Sequence, residues 1–138
     1  MGAGYSIKCD KCDFVTFTNG SWEFYRDENG KRKPYGHPCP ASKEAEEAGI
    51  QGLSGELYCS DCGEVSDLII VEFKKSTNET LYVWGGMMEP KEEYKTNEGP
   101  NCPKCGSLNI FLEIPEDKNI KCIKCDNGNL SSEMEWIS

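Results

Sequence analysis

The chain has 138 residues, of which 37% are apolar, with a formal net charge of −9 and nine cysteines. That length suits one domain or two small ones, and the low apolar content argues against a single large core as the main source of stability. No apolar run approaches the ~20 residues of a bilayer-crossing helix, so no membrane contact is expected. The acidic balance disfavours nucleic acid, whose binders normally present a cationic surface.

Taken in chain order, the N-terminus (Met1 to Lys8) has no apolar h-region, which predicts a cytoplasmic protein with reduced thiols. The sequons at Asn78 and Asn129 are then chance matches. Phe14–Phe17 and Ser21–Arg26 read as short strands, and Asp27–Gly30 as a turn built on Asn29-Gly30. Pro40–Ala48 reads as one short helix stopped by Gly49. Val65–Lys74 and Thr80–Trp84 suggest a hairpin around Ser76–Asn78. Residues 86–101 are polar, carry two prolines and read as a linker. Beyond it come a strand at Leu108–Ile114, a turn at Pro115–Asn119 and a closing strand at Asn129–Trp136. The expected domains are 1–85, the linker 86–101 and a compact 102–138. Both halves are acidic and follow one plan of knuckle, strands, knuckle and strand.

Eight cysteines form four Cys-x-x-Cys pairs: Cys9/Cys12, Cys59/Cys62, Cys102/Cys105 and Cys122/Cys125. Two thiols three positions apart reach one ion easily, whereas a disulfide between them would close only a tiny loop. A thioredoxin-like redox role needs a pair at a helix N-terminus in a βαβ context, which none of the four has. The residue after each second cysteine is Asp13, Gly63, Gly106 or Asp126. Glycine and aspartate are among the few residues that tolerate the left-handed backbone such turns need. Amides within each turn can also donate to the sulfurs. Thiolates are soft donors that favour tetrahedral zinc or iron, and eight of them fill two closed sites. Two Zn2+ ions per chain are therefore expected, with iron as the competitor.

The gaps between successive pairs are 46, 39 and 16 residues. The shortest gap assigns Cys102/Cys105 and Cys122/Cys125 to one ion, on the C-x2-C-x15–20-C-x2-C pattern. Cys9/Cys12 and Cys59/Cys62 follow by elimination. The alternative weighed is a crossed arrangement, first pair with third and second with fourth.

Cys102-Pro-Lys-Cys-Gly106 with Cys122-Ile-Lys-Cys125 resembles a zinc ribbon, in the broad rubredoxin-like group. Cys9-Asp-Lys-Cys12 with Cys59-Ser-Asp-Cys-Gly63 resembles a second ribbon with a long insert. The resemblance covers the knuckles and adjacent strands. It implies a small β-rich, metal-stabilised fold of two zinc-ribbon-like units with one short helix in the first. Zinc ribbons serve many functions, so the motif implies a metal site and a fold rather than an activity.

The only histidine, His37, and the unpaired Cys39 share a proline-stiffened loop. They are either an auxiliary metal or reactive-thiol site or, as favoured here, a loop-fixing hydrogen-bonder and a small buried hydrophobe. Trp22, Phe24, Tyr25, Tyr82 and Trp84 fit a packed sheet face better than a base-stacking surface, because few cations are interleaved. Lys31-Arg-Lys33 is the densest basic run and the natural location for any local nucleic-acid contact. Met87-Met88 reads as part of the linker or an adaptable contact. No phosphate-cradling loop, catalytic triad or open zinc motif is present, so no enzymatic activity is expected. The expected role is an interaction or accessory module with a protein partner. A rubredoxin-like iron electron carrier and a nucleic-acid-binding ribbon are the alternatives.

Overall fold

The structure is a computed structural model and describes residues 2–36, 39–77 and 101–137. Seven strands and one helix occur among these residues: β1 (Ala3–Cys9), β2 (Val15–Arg26), β3 (Arg32–Pro34), α1 (Lys43–Ala48), β4 (Ile50–Cys59), β5 (Val65–Thr77), β6 (Ile110–Phe111) and β7 (Leu130–Ile137). They form one antiparallel sheet in the order β5-β4-β2-β1-β7, with β3 on β2 and β6 on β4. The β-rich fold with a single short helix is the one expected. No described helix is long and apolar enough to cross a membrane.

Two expected short strands are one. β2 runs unbroken through Thr18–Gly20, because these residues pair with Tyr5, Gly4 and Ala3 of β1. From Asn19 onwards its other edge pairs with β4. The turn at Asp27–Gly30 forms as expected, with Gly30 N–H donating to the Asp27 carbonyl at 2.9 Å and Gly30 at φ 79°. The helix is shorter than expected. It starts at Lys43 rather than Pro40, where Ser42 caps it by accepting from Ala45 N–H at 3.1 Å, and Gly49 ends it.

β1 and β4 escape a sequence reading because glycines interrupt their alternation, yet the glycines permit close packing. A Cβ at Gly4 would run into the Trp136 ring, and one at Gly52 into the Val71 carbonyl and the Phe24 ring. The expected strand at Leu108–Ile114 reduces to two residues, and the chain then crosses the sheet, where Thr18 Oγ1 donates to the Leu112 carbonyl at 2.6 Å. Residues 102–137 are not a self-contained ribbon. Instead of pairing with each other, β6 joins β4 and β7 joins β1, so the division at a linker does not describe the sheet. Strand Thr80–Trp84, Tyr82, Trp84, Met87-Met88 and the expected linker apart from Asn101 lie outside the described residues.

Two buried clusters occupy opposite ends of the sheet. One gathers Tyr25, Tyr35, Leu53, Val71 and Phe73 beneath Ala45 of α1. The other gathers Ile7, Tyr58, Ile114 and Leu130 around Cys122, and it lies at the cysteine end.

Candidate metal centres

The four pairs converge on two places, in a combination the sequence reading did not weigh. Cys9, Cys12, Cys122 and Cys125 form one group, and Cys59, Cys62, Cys102 and Cys105 the other. The first pair joins the fourth and the second joins the third, so one centre is nested inside the other. The assignment of Cys102/Cys105 with Cys122/Cys125 is overturned, and so are its elimination partner and the crossed alternative. Sheet pairing is the physical reason: β7 delivers the fourth knuckle to the end of β1, and β6 delivers the third to the end of β4.

The outer and inner centres repeat one design. β1 ends at Cys9 and β4 ends at Cys59, and each chain turns through its knuckle into the next strand, six residues after the first cysteine. Cys9 N–H donates to the Phe14 carbonyl, and Cys59 N–H to the Glu64 carbonyl. The third and fourth knuckles then dock in the same way. Asp10 N–H donates to the Asn129 carbonyl at 3.2 Å, and Ser60 N–H to the Asn109 carbonyl at 3.1 Å. Cys9 stands opposite Leu130 and Cys59 opposite Ile110. Asn109 and Asn129 are each seven residues past their knuckle's first cysteine, and Ile110 and Leu130 eight past it.

The turn residues follow the expectation at three positions of four. Gly63 (φ 80°), Gly106 (φ 78°) and Asp126 (φ 59°) are left-handed, while Asp13 is not. The N–H groups of Gly63, Gly106 and Asp126 close the knuckles onto the carbonyls of Cys59, Cys102 and Cys122, at 2.8–3.0 Å.

Sulfur spacing fits a metal and excludes disulfides. The facing sulfurs are 3.6 Å (Cys9–Cys125), 3.7 Å (Cys12–Cys122), 3.6 Å (Cys59–Cys105) and 3.5 Å (Cys62–Cys102) apart. All four ligand atoms in each group lie within 4.8 Å of one another. A tetrahedral ion with metal–sulfur bonds of 2.3 Å places its ligands about 3.8 Å apart. A disulfide requires about 2.05 Å.

The charge around the sulfurs fits the same reading. Amides of Cys105 and Lys104 hold Cys102 down to about 7, and amides of Asn127 and Gly128 do the same for Cys125. At Cys12 the Phe14 amide pulls downward, but burial and three neighbouring thiols push it up to about 12. Cys62 behaves alike, with the Glu64 amide in the same role. Four thiolates in one cluster repel, and a divalent cation removes the conflict by deprotonating all of them.

Lysines sit at equivalent places in the two centres. Lys104 bonds Glu64 at 2.8 Å beside Cys62 and Cys102, and Lys124 bonds Asp13 at 2.6 Å beside Cys12 and Cys122. Each first knuckle also offers a carboxylate to the knuckle that docks on it. Asp10 accepts from Asn129 N–H at 2.8 Å, and Asp61 accepts from Asn109 Nδ2 at 3.0 Å and from Ser107 Oγ. These supporting residues were not singled out from sequence, although the equal offsets of Lys104 and Lys124 were there to be read.

Cys39 is exposed and belongs to neither group, and the buried role favoured for it is therefore corrected. His37 lies outside the described residues. Phe24 and Tyr25 are buried, and Trp22 stacks on Trp136 with centroids 5.8 Å apart, over Gly2 and Gly4. A cleft of about 370 Å³ opens beside Trp22 and Phe24. Its cations are matched by carboxylates: Arg32 chelates Asp67 at 2.9 and 3.2 Å, and Lys33 lies 3.5 Å from Asp27 and 3.9 Å from Glu44.

No protein-family model, no curated protein and no solved structure matches the chain.

Proposed function

We propose that the chain is a zinc protein, holding one structural ion in each four-cysteine centre, and that it serves as a protein-interaction or accessory module. The observation that carries the metal reading is the duplicated geometry. Two groups of four sulfurs, far apart in sequence, reach the same spacing with matching backbone hydrogen bonds at Cys9 and Cys59 and at Asp10 and Ser60. Four thiolates leave no open position for substrate, which favours a structural over a catalytic ion. Apparent binding energies for structural zinc reach about 10–16 kcal/mol, against about 5–15 kcal/mol for whole-domain stability. Two such ions are enough to decide whether so small a core folds.

The interaction role is supported by the outer ribbon's surface. Strand register places Val15, Phe17 and Trp136 on one face of β2, β1 and β7, and these side chains are 45%, 61% and 46% exposed. Exposed aromatic and aliphatic groups of this kind suit protein contacts. Arg32 and Lys33, two of the three cations in the run that a nucleic acid would need, already face carboxylates.

Elemental analysis of protein produced with both metals present tests the metal reading. About two zinc per chain is the expected result. Two iron with visible absorption would establish the electron-carrier alternative instead, and absence of either metal would end the proposal. Affinity capture with the full chain should recover a protein that Phe17→Ser and Trp136→Ser release. Recovery of nucleic acid alone would reverse the order of the readings.

A further inference from the structure

We propose that the two centres load cooperatively, and that Tyr58 is the positioning residue that couples them. This rests on the reading of both cysteine groups as metal sites.

Cys59, a ligand of the inner centre, is the last residue of β4, and Tyr58 precedes it. Successive strand residues point to opposite faces, so the backbone that places the inner ligand also places the Tyr58 ring elsewhere. That ring is fully buried among Ile7, Ile114, Leu130 and Cys122, with Cys9, Cys12 and Cys125 packed on the same cluster. All four outer ligands thus surround a cluster that includes a side chain of the inner ribbon. The ring lies 6.2 Å from Phe14, which follows the outer knuckle. The Tyr58 hydroxyl has no hydrogen-bond partner among the described residues, so packing of the ring alone ties it to the cluster. A second contact runs the other way. Ile123 lies between the outer ligands Cys122 and Cys125, and a Cβ on inner Gly63 would stand 3.1 Å from its Cγ2.

The consequence follows from what each ion must order. The β5 ladder on β4 ends at Tyr58–Val65, and on the other edge β6 adds only two paired positions, at Tyr58 and Cys59. An ion at the inner centre fixes Cys59 and with it the Tyr58 ring in the outer cluster. An ion at the outer centre fixes that cluster and so the end of β4. Whichever ion arrives first orders shared structure, and the second therefore binds more tightly, by the same factor in either order.

Native mass spectrometry of the full chain with one zinc added per chain reads this directly. The expected result is an excess of metal-free and two-zinc chains over one-zinc chains. Independent binding makes the one-zinc chain the largest population whether the two affinities are equal or not, and that outcome would overturn the coupling. Failure to take up zinc even at saturation would sink the metal reading itself, a separate result. Tyr58→Phe keeps the ring and should preserve the distribution, whereas Tyr58→Ala should make the one-zinc chain prominent. An unchanged distribution in Tyr58→Ala would remove Tyr58 from the account. Should Tyr58→Ala fail to fold, Cys62→Ser offers a second readout. Cobalt affinity at the intact outer centre, followed by its thiolate absorption, should fall at least about tenfold. An unchanged affinity there would contradict the proposal.

Discussion

The outer centre closes with an eight-residue strand, β7, paired along β1 from Ala3 to Cys9, whereas the inner centre closes with the two residues of β6. Outer Cys125 is half-buried, and its inner counterpart Cys105 is exposed. At the sixth position past the first cysteine of the docking knuckle, the outer centre has Gly128 pressed against Cys9, and the inner has Leu108, 72% exposed. One ligand design thus stands in two settings. In the outer setting the sheet and the apolar cluster help hold the knuckles together. In the inner setting more of that work would fall to a bound ion and to a few polar contacts around Asp61.

The largest effect should come from Cys122→Ser. It removes an outer ligand and also buries a hydroxyl in an apolar cluster, and the cooperative unfolding transition of the zinc-loaded chain should be lost. Cys105→Ser removes an exposed ligand and should leave a transition at lower denaturant. Equal damage from both would erase the difference in setting. Next is Gly128→Ala, whose Cβ collides with Cys9 Sγ and should cost about 2 kcal/mol or more. Leu108→Ala, at the matching inner position, should stay within about 0.5 kcal/mol in the same denaturant titration.

Acid should weaken both centres. Cys12 and Cys62, with pKa values raised to about 12, hold protons at neutral pH that each ion must displace. Zinc affinity therefore rises with pH and falls as pH drops, one or more protons being released per ion bound. Competition with a chelator between pH 8 and pH 6 measures the slope, and a flat profile would contradict thiol ligation. The smallest effects belong to Lys104→Ala and Lys124→Ala. Both lysines are exposed ion-pair partners, so each change should be slight. The equivalence of the two centres is tested by whether both changes are alike.

The knuckles, the turn residues Gly63, Gly106 and Asp126, the turn at Gly30 and the helix before Gly49 were all legible in sequence, because each is a local choice of backbone conformation. The pairing of the knuckles was not. A short gap favours joining neighbours through loop-closure entropy, yet lengthening the closed segment from 16 residues to the 109 that separate Cys12 from Cys122 costs only about 2 kcal/mol. The β1–β7 ladder and the cluster around Tyr58 outweigh that. A better signal lay in residue types. Val15 and Val65 sit at one offset from Cys9 and Cys59. Lys104/Lys124, Asn109/Asn129 and Ile110/Leu130 sit at common offsets from Cys102 and Cys122. The first two knuckles are of one kind and the last two of another, and a ribbon takes one of each. β1 and β4 stayed hidden because their glycines serve the neighbours that pack on them, which only tertiary structure supplies.

The nested pairing is tested most directly by loading the chain with 113Cd and correlating each bound cadmium with the β-protons of its cysteines by NMR. One cadmium should couple to Cys9, Cys12, Cys122 and Cys125, and a second to Cys59, Cys62, Cys102 and Cys105. A single cadmium coupled to both Cys105 and Cys122 would contradict the nested pairing.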